Sequence, residues 1–495
     1  MDAKVSKFSE LSALIDDKNQ LSADLSSLFS LFRMPQILWG LKMEKEKGLS
    51  CSAVILFLMV FRICGMSIHG FFKQKFYGLL GEDQGKDAFY RMMSSEKMNW
   101  RGFLYAVAKS FKRIVSENTD EGTDATTEGE KPRCVIFDDT AMLKTGEHNR
   151  MENISVVHDH TTGRYCIGFK LLLCAFFDGI STIPLDFAII REKGKKGNYG
   201  LSIKDLRKLF SKKRDEKSCG YLRDNEAEMD KPAMALQMLR ETVSRGYRID
   251  YVLYDSWFNS VNFIKEILSI GKGAIHALGM AKNNSKKYTV KGRTYTLKTM
   301  VDAKVAKQQR CAKYKCMYMK VDAEMEGIPV RLFIIKYGHA NVWKTIITTD
   351  TSLSFVKAFE YYQIRWNIEV IFRECKQYLA LGKCQSRDFD ALIADCTLCF
   401  AVYTMMSVRK RFGEYETMGE VFRDLEEELF LATLWQRFLP IIARILARLI
   451  DRLGFDIEEV VRTMAQDTQC ARDIVCMLKA LENQDFGNQN DSEVA

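Results

Sequence analysis

The sequence predicts an α/β fold in which a mixed core carries an all-β insertion and is flanked by helical regions. Residues 133–281 alternate short buried strands with helical segments, which is the pattern of an α/β sheet. Residues 282–350 contain short alternating segments such as KYTVKGRTYTL, which indicate strands. Residues 1–115 show helical periodicity and no convincing strand. With 47% apolar residues in a chain of 495, a large core divided among several domains is expected.

The strands of the predicted core place two acidic positions at strand ends. The predicted elements are strand 133–139 (RCVIFDD), two strands within 164–192 joined near a turn at Asp178-Gly179, strand 248–255 (RIDYVLYD), helix 256–271 and strand 273–281. The pair Asp138-Asp139 closes the first strand, and Asp255 closes the fourth. In an open α/β sheet, strand ends are where ligands and chemistry collect.

The rest of the chain is predicted to be mostly helical. Residues 116–132 are acidic and rich in Thr and Gly, so we interpret them as a linker. Residues 351–390 are predicted to hold the final helix of the core and residues 391–481 a C-terminal helical region. A polar tail follows at 482–495.

Composition favours a cytoplasmic protein with no membrane span. The start of the chain is polar and has no signal peptide pattern. The apolar run at 51–61 is about half the length that a bilayer requires, so it predicts a buried helix. The 14 cysteines show no disulfide framework and no zinc-ribbon spacing, which indicates reduced thiols.

The charge distribution is compatible with a polyanionic partner. The formal net charge is +9, and residues 191–214 hold many cations against only Glu192 and Asp205. Such a run is either a solvated helix face or a surface that follows phosphates. The stretch GKKGNYG (194–200) is not a phosphate-binding loop, because it lacks the G-K-[ST] ending. His158 and His160 have no third ligand at a suitable spacing, so we interpret them as surface residues.

The stretch YYQIRWNIEVIFRECKQYL (361–379) predicts a helix with an unusual polar face. At roughly 100° per residue, a helix would bring the side chains of Tyr362, Arg365, Glu369 and Lys376 onto one narrow side. A plain ion pair between Arg365 and Glu369 would explain two of these residues. The ion pair gives no reason for Tyr362 and Lys376 to lie on the same side of the helix.

Three acidic positions on one sheet and one helix indicate a metal site. Unpaired carboxylates held close together raise one another's pKa, so a cluster of them requires a cation. Oxygen ligands with few His or Cys favour Mg²⁺ or Mn²⁺. Two such ions can activate a water or a 3′-hydroxyl in phosphodiester chemistry.

These residues resemble the insertion sequence 4 family of DDE transposases. The residues Tyr362, Arg365, Glu369 and Lys376 match the Y-x2-R-x3-E-x6-K signature of that family without a gap. The segments VIFDDTAML and YVLYDSWFNS are similar to its first-acid and second-acid segments. The resemblance covers roughly 133–385 and implies a ribonuclease-H-like core with an all-β insertion before the final Glu.

The resemblance also implies roles for particular residues. Asp138, Asp255 and Glu369 would hold two divalent cations, Mg²⁺ or Mn²⁺. Asp138 keeps the Asp-x-Thr spacing of the family with Thr140, although a shift of one residue would make Asp139 the first acid.

The basic and aromatic residues would contact DNA. On this resemblance Tyr362, Arg365 and Lys376 would bind the phosphate beside the cleaved end. In relatives that form a DNA hairpin, an aromatic residue near the end of the β insertion holds a flipped base. Trp343 is the candidate for that role in this sequence, and the alternative is that Trp343 is a core residue. Trp366, next to Arg365, would either stack on DNA or pack against the core, and the core position is the interpretation we favour.

The sequence thus predicts a cut-and-paste transposase of a bacterial insertion sequence. The resemblance implies that it acts on double-stranded DNA, both element ends and target, as a homodimer in a synaptic complex. The N-terminal helical region, 1–115, would bind the terminal inverted repeats. The alternatives are a catalytically silent DNA-binding regulator of transposition and a metal-dependent nuclease without strand transfer.

Overall fold

The computed structural model describes most of the chain and divides it into two compact units. The described residues are 28–44, 48–73, 85–118, 131–144, 150–159, 162–194, 197–337 and 343–425. The first unit comprises Met1–Leu31, Lys45–Phe89 and Glu420–Ala495, and the second comprises Phe32–Glu44 and Tyr90–Gly419. The predictions for 1–27, most of the acidic linker, His160, the helical region beyond 425 and the polar tail lie outside the described residues.

The chain before the first strand is helical where it is described. Its helices are α1 (Met34–Gly40), α2 (Cys51–Ile63), α3 (Ile68–Lys73), α4 (Asp87–Met93) and α5 (Trp100–Asn118). Helix α2 in the first unit confirms the buried helix predicted from the apolar run, since seven of its residues are buried. Its start is fixed by Ser50, whose side chain accepts a hydrogen bond from Ala53 N.

The second unit is built around one large mixed sheet. Its strands are β1 (Cys134–Leu143), β2 (Ser155–Asp159), β3 (Arg164–Phe177), β4 (Thr182–Ile190), β5 (Tyr251–Tyr254), β6 (His276–Ala281), β7 (Tyr288–Val290), β8 (Arg293–Tyr295), β9 (Gln308–Cys311), β10 (Cys316–Met325), β11 (Ile328–Tyr337) and β12 (Trp343–Thr348). The order is β2-β3-β1-β5-β6-β12-β11-β10-β7-β8, with β4 paired to β3 and β9 to β10. This mixed α/β architecture confirms the predicted fold class at that level.

The remaining helices lie between and after these strands. They are α6 (Ile203–Leu206), α7 (Cys219–Glu226), α8 (Lys231–Ser244), α9 (Val261–Ile270), α10 (Leu297–Asp302), α11 (Phe355–Gln363), α12 (Trp366–Tyr378) and α13 (Phe389–Phe412). Side-chain caps begin several of them: Asp230 accepts from Ala233 N before α8, and Ser260 accepts from Phe263 N before α9.

The centre of the sheet is parallel and tightly packed. Strand β1 pairs in parallel with β5, and β5 pairs in parallel with β6. Residue Gly279 lies opposite Tyr254 in this register. A Cβ atom at Gly279 would come within 2.2 Å of the Tyr254 ring, so the sheet requires glycine there. This close approach fixes β6 against β5, while the register of β1 with β5 sets the relative height of the ends of those two strands.

The prediction of an all-β insertion at 282–350 was wrong in one respect. The segment contains helix α10 as well as strands. Thr296 and Thr299 form a capping box at the start of this helix. The helix was missed because the alternating pattern of the surrounding residues indicated strands. The strands of the segment extend the core sheet, because β12 pairs with β6.

Helix α13 forms the interior of the second unit. It is long and apolar enough to cross a membrane by composition, yet its apolar window is completely buried within the protein. Phe400 on α13 packs against Phe187 of β4, with ring centroids 5.5 Å apart. Helix α13 is therefore explained as a core helix of the folded unit.

Candidate active site

The first two acidic residues lie at neighbouring positions on adjacent parallel strands. The register pairs Phe137 of β1 with Tyr254, the last residue of β5, so Asp138 and Asp255 each follow directly on this paired position. Both preceding residues are completely buried, which anchors the backbone of the two acidic positions. The predicted convergence of Asp138 and Asp255 follows from this pairing.

Asp138 and Asp139 point to opposite faces of the sheet. Asp138 accepts a hydrogen bond from Arg365 at the start of α12. Asp139 instead forms ion pairs with Lys170 of β3 at 3.1 Å and Lys231 of α8 at 2.5 Å. Because side chains alternate along a strand, only Asp138 shares a face with α12.

The predicted helix at 361–379 is divided into α11 and α12 by a tight turn. Ile364 and Arg365 keep right-handed helical backbone angles. Their backbone N–H groups, however, donate to the residues three positions earlier, Tyr361 and Tyr362. These are bonds of the 3₁₀ type, which wind the chain more tightly than an α-helix. The turn places Arg365 at the beginning of α12, against β1.

Arg365 bridges two carboxylates. Its Nη1 donates to Asp138 Oδ2 at 2.8 Å, and its Nη2 donates to Glu369 Oε1 at 2.5 Å. Its Nε is buried without a hydrogen-bond partner among the described residues. The i,i+4 ion pair that the sequence allowed is therefore present, but it is shared with a residue 227 positions away in the chain.

Tyr362 lies against this guanidinium. The guanidinium carbon of Arg365 is 5.8 Å from the centroid of the Tyr362 ring. Burial raises the pKa of the Tyr362 phenol to about 12, while Arg365 opposes the rise. The phenol is therefore a neutral hydrogen-bonding group at neutral pH.

Lys376 extends the same face along β1. Its Nζ donates to Thr140 Oγ1 at 2.7 Å and to Ala141 O at 3.1 Å. Burial lowers its pKa from the usual value of a lysine. The structure thus brings five predicted site residues, Asp138, Tyr362, Arg365, Glu369 and Lys376, to the interface of β1 and the α11–α12 segment, with Asp255 directly after the adjoining strand β5.

The electrostatics of Asp138 reflect burial among like charges. Burial raises the pKa of Asp138 to about 7. Arg365 and the backbone N–H of Asp139 lower this pKa, whereas the neighbouring Asp255 raises it. A carboxylate in this position gains from any nearby cation.

Trp343 is not brought together with the other predicted site residues. It opens β12 and pairs with Lys336, whose Nζ lies 5.8 Å from the centroid of its ring. The next residue, Lys344, lines a groove of about 580 Å³ beside Arg365. Since neighbouring residues of a strand face opposite sides, Trp343 faces away from that groove.

Trp366 lies at the surface, so its interpretation as a core residue was wrong. Its side chain is 58% exposed. It lines the groove beside Arg365 together with Tyr337 and Tyr362. On α12, Trp366 lies about 200° around the helix axis from the buried Ile368, so the helical period itself places it away from the buried side.

The three acids supply the kind of donor atoms that a hard divalent cation prefers. Their side chains, however, are not arranged as a complete metal site. Asp138, Asp255 and Glu369 supply only oxygen donors, which Mg²⁺ and Mn²⁺ prefer. Burial and the neighbouring Asp255 both raise the pKa of Asp138, so a cation beside these two carboxylates would be favourable. In the arrangement described, the guanidinium of Arg365 lies between Asp138 and Glu369. No three His, Cys, Asp or Glu side chains within the described residues form a group that could hold a metal.

Sequence reasoning missed a supporting group behind the acids. Lys170 is completely buried, and its Nζ also donates to the His158 carbonyl. Lys231 holds Asp139 and lies 4.5 Å from the ring centroid of Trp257, two residues after Asp255. The lysines lower the pKa of Asp139 below its usual value, against the effect of burial. A lysine inside the apolar run of β3 was the available signal, because lysine is almost never buried unless paired.

A comparison with protein families gives a match. Residues 225–405 match the family model described as Transposase DDE domain. This match supports a DDE transposase, a class of enzyme that acts on DNA by nucleotidyl transfer and generally uses divalent metal ions. The matched segment includes Asp255, Glu369 and the residues around them, and begins after Asp138. No curated protein is similar enough to the chain to count as a match.

Proposed function

We propose that this protein is a cut-and-paste transposase of the insertion sequence 4 type, with Asp138, Asp255 and Glu369 as its acidic triad. The observation that carries the proposal is the double contact of Arg365 with Asp138 and Glu369. It joins the first strand of the core to the helix of the family signature. The transposase match over 225–405 supports the transposase part of the proposal.

In this proposal the sheet around β1, β5 and β6 is a ribonuclease-H-like core. Strands β1, β3, β5 and β6 and helix α12 would supply it, and β7 to β12 with α10 would form the insertion. Helical regions at the two ends of the chain would flank this core. The N-terminal region would bind terminal inverted repeats, and two protomers would form the synaptic complex in the bacterial cytoplasm.

The three acids would hold two divalent cations, Mg²⁺ or Mn²⁺. When bound, these ions activate a water or 3′-hydroxyl and stabilise the leaving oxygen. The ends of β1 and β5 set the separation of Asp138 and Asp255. The 3₁₀ turn at Ile364-Arg365 sets the position from which Glu369 faces them.

The basic and aromatic groups of the same face would position the DNA. Arg365 uses one N–H of each terminal nitrogen for the carboxylates. A guanidinium has five N–H donors, so others remain for phosphate oxygens. Lys376 offers an ammonium further along β1, and the neutral phenol of Tyr362 can donate to a phosphate or a sugar oxygen. We assign the role of first acid to Asp138 and not to Asp139, because Asp139 pairs with two lysines on the other face of the sheet.

The experiment that tests the proposal is cleavage of a labelled DNA end. The substrate is a duplex from the DNA that borders the coding sequence, where terminal inverted repeats are expected. Wild type should nick this duplex with Mg²⁺ or Mn²⁺, and Glu369→Gln should reduce the rate by at least about 100-fold. Glu374→Gln is the matched control, because Glu374 lies on the same helix and contacts Tyr403 instead.

Three outcomes separate the proposal from its alternatives. Equal nicking by wild type and Glu369→Gln would contradict the assignment of the site. Binding of the repeat without cleavage in either metal would favour the regulator of transposition. Cleavage without joining of the 3′-hydroxyl end to target DNA would favour the nuclease.

A further inference from the structure

A series of exposed cations leads from the candidate active site toward the β2 edge of the sheet. After Lys376, the chain leaves α12 and carries the exposed residues Lys383 and Arg387. This segment is fixed to the end of β1, because Lys144 Nζ donates to Gly382 O at 2.7 Å and to Cys384 O at 2.6 Å. The two cations therefore lie on a segment that starts beside the site.

The segment continues into a second basic surface. Glu152 N donates to Arg387 O at 3.0 Å, and Phe210 N donates to Arg150 O at 2.8 Å. These two bonds bring Arg150 and Arg387 next to the loop that follows α6. Arg150 and the loop residues Lys208 and Lys213 are exposed.

This loop is held by a buried charge network. The side chain of Arg214 is 1% exposed and donates to Glu152 and to Asp390. Lys212 Nζ binds Asp390 Oδ2 at 2.7 Å and Asp388 Oδ2 at 3.2 Å. The acids of the network are thus held by Lys212 and Arg214, while Lys213 between them points to solvent. Further along, Asp215 and Glu216 place two exposed acids at the end of the loop.

We propose that Arg150, Lys213, Lys383 and Arg387, together with Lys376, form a track that binds the phosphate backbone of duplex DNA next to the reacting end. The proposal rests on the proposed function and adds a surface to it. These residues carry long cationic side chains. The backbone contacts described above connect their segments one after another, starting from the segment beside the acids. Contacts to phosphates place a duplex without reading its sequence.

The test is the salt dependence of DNA binding by the full-length protein. The probe is a fluorescein-labelled duplex of about 30 bp and of arbitrary sequence, titrated at several KCl concentrations. The magnitude of the slope of log K against log salt falls by about 0.9 for each phosphate that the protein no longer neutralises. The triple variant Lys213→Gln, Lys383→Gln, Arg387→Gln should therefore lower the magnitude of the slope by about 2.7.

Two control proteins make the result specific. Lys213→Arg, Lys383→Arg, Arg387→Lys keeps the charges and should retain the wild-type slope. Lys291→Gln, Lys298→Gln, Lys304→Gln removes three exposed lysines at the opposite edge of the sheet, so it matches the change in net charge. A wild-type slope in the track variant, or an equal decrease in the opposite-edge variant, would overturn the track.

Failure of the proposed function gives a different pattern. If the wild type fails to bind the duplex at all, the track and the proposed function both fail. If the wild type binds with the expected slope and the slope decreases in the track variant, but no end is ever cleaved, the track stands and the transposase activity fails. If ends are cleaved and the slopes are equal, only the track is wrong.

Discussion

Arg365 shows how one side chain can organise several acidic residues. Its guanidinium satisfies Asp138 and Glu369 in two directions, and the planar fork of arginine allows this where the ammonium of lysine would not. Asp139 is satisfied separately by Lys170 and Lys231 on the other face. Two neighbouring carboxylates thereby have different environments, which predicts different effects when each is neutralised.

At this scale we predict opposite results for Asp138→Asn and Asp139→Asn. Asp139→Asn leaves two lysines without their counter-charge, one of them completely buried, and should lower the free energy of unfolding by about 3 kcal/mol. Asp138→Asn removes a charge that burial already disfavours. It should abolish DNA cleavage and change the free energy of unfolding by less than about 1 kcal/mol.

Urea unfolding and end cleavage measured on the same two preparations check this prediction. The two variants are matched, since each replaces one carboxylate by an amide on adjacent residues. A stable Asp139→Asn protein without cleavage, beside an active Asp138→Asn protein, would mean that the first acid is Asp139.

At the scale of elements, α12 and α13 differ in how they use their faces. Helix α12 is amphipathic, with Ile368, Ile371 and Cys375 buried and its polar side carrying the site residues. Helix α13 is buried on all sides for most of its length and becomes partly exposed only near its basic end. A helix that is apolar on all sides is typical of a protein interior. Helix α13 therefore stabilises the fold by packing, whereas α12 carries the candidate site residues.

Two phenylalanines of α13 test this difference. Phe400 is completely buried against Phe187, whereas Phe412 at the end of the helix is 46% exposed. Phe400→Ala should lower the free energy of unfolding by about 3–5 kcal/mol through the cavity it leaves. Phe412→Ala should cost less than about 1 kcal/mol. Thermal or urea unfolding of both variants measures the contrast, and equal decreases would show that α13 is not a core helix.

At the scale of the whole second unit, buried charge networks join segments that are far apart in sequence. Glu152 accepts from Arg214, from Lys212 N and from Phe389 N, the first residue of α13. A second network connects Arg101 of α5 with Asp186 of β4 and Glu226 of α7. Removing one partner of such a network leaves an uncompensated buried charge.

Glu152→Gln therefore has a predictable effect beyond its immediate surroundings. The substitution leaves Arg214 without its full counter-charge and should lower the free energy of unfolding by about 3 kcal/mol. The loop around Lys212 should also open more readily, which hydrogen exchange detects as faster exchange across 208–216. Glu192→Gln, which changes a partly exposed acid nearby, serves as the control. Unchanged exchange in Glu152→Gln would show that the network does not hold the loop.

The family match and the site geometry cover different parts of this unit. The matched residues 225–405 include Asp255, the α11–α12 segment and most of α13. The first acid, its strand β1 and the neighbour β3 precede that range. The parallel pairing of β1 with β5 is what connects the two parts, and it was accessible only from the tertiary structure.

The sequence by itself determined the α/β class, the strands that carry the acids, the separation of Tyr362, Arg365, Glu369 and Lys376 and the burial of the apolar run at 51–61. These features depend on local pattern, because periodicity and turn residues act over a few positions. It did not reveal β2, helix α10 or the 3₁₀ turn, which depend on pairing partners and on caps.

Only the tertiary structure decided which way particular side chains face. It placed Asp138 toward α12 and Asp139 toward Lys170 and Lys231, turned Trp343 away from the groove and left Trp366 exposed. A shift of one residue along a strand reverses its face, and the register is set by strands that are distant in sequence. The pairing of the strands therefore decides which side chains face the site, while the sequence pattern specifies the residues that can form it.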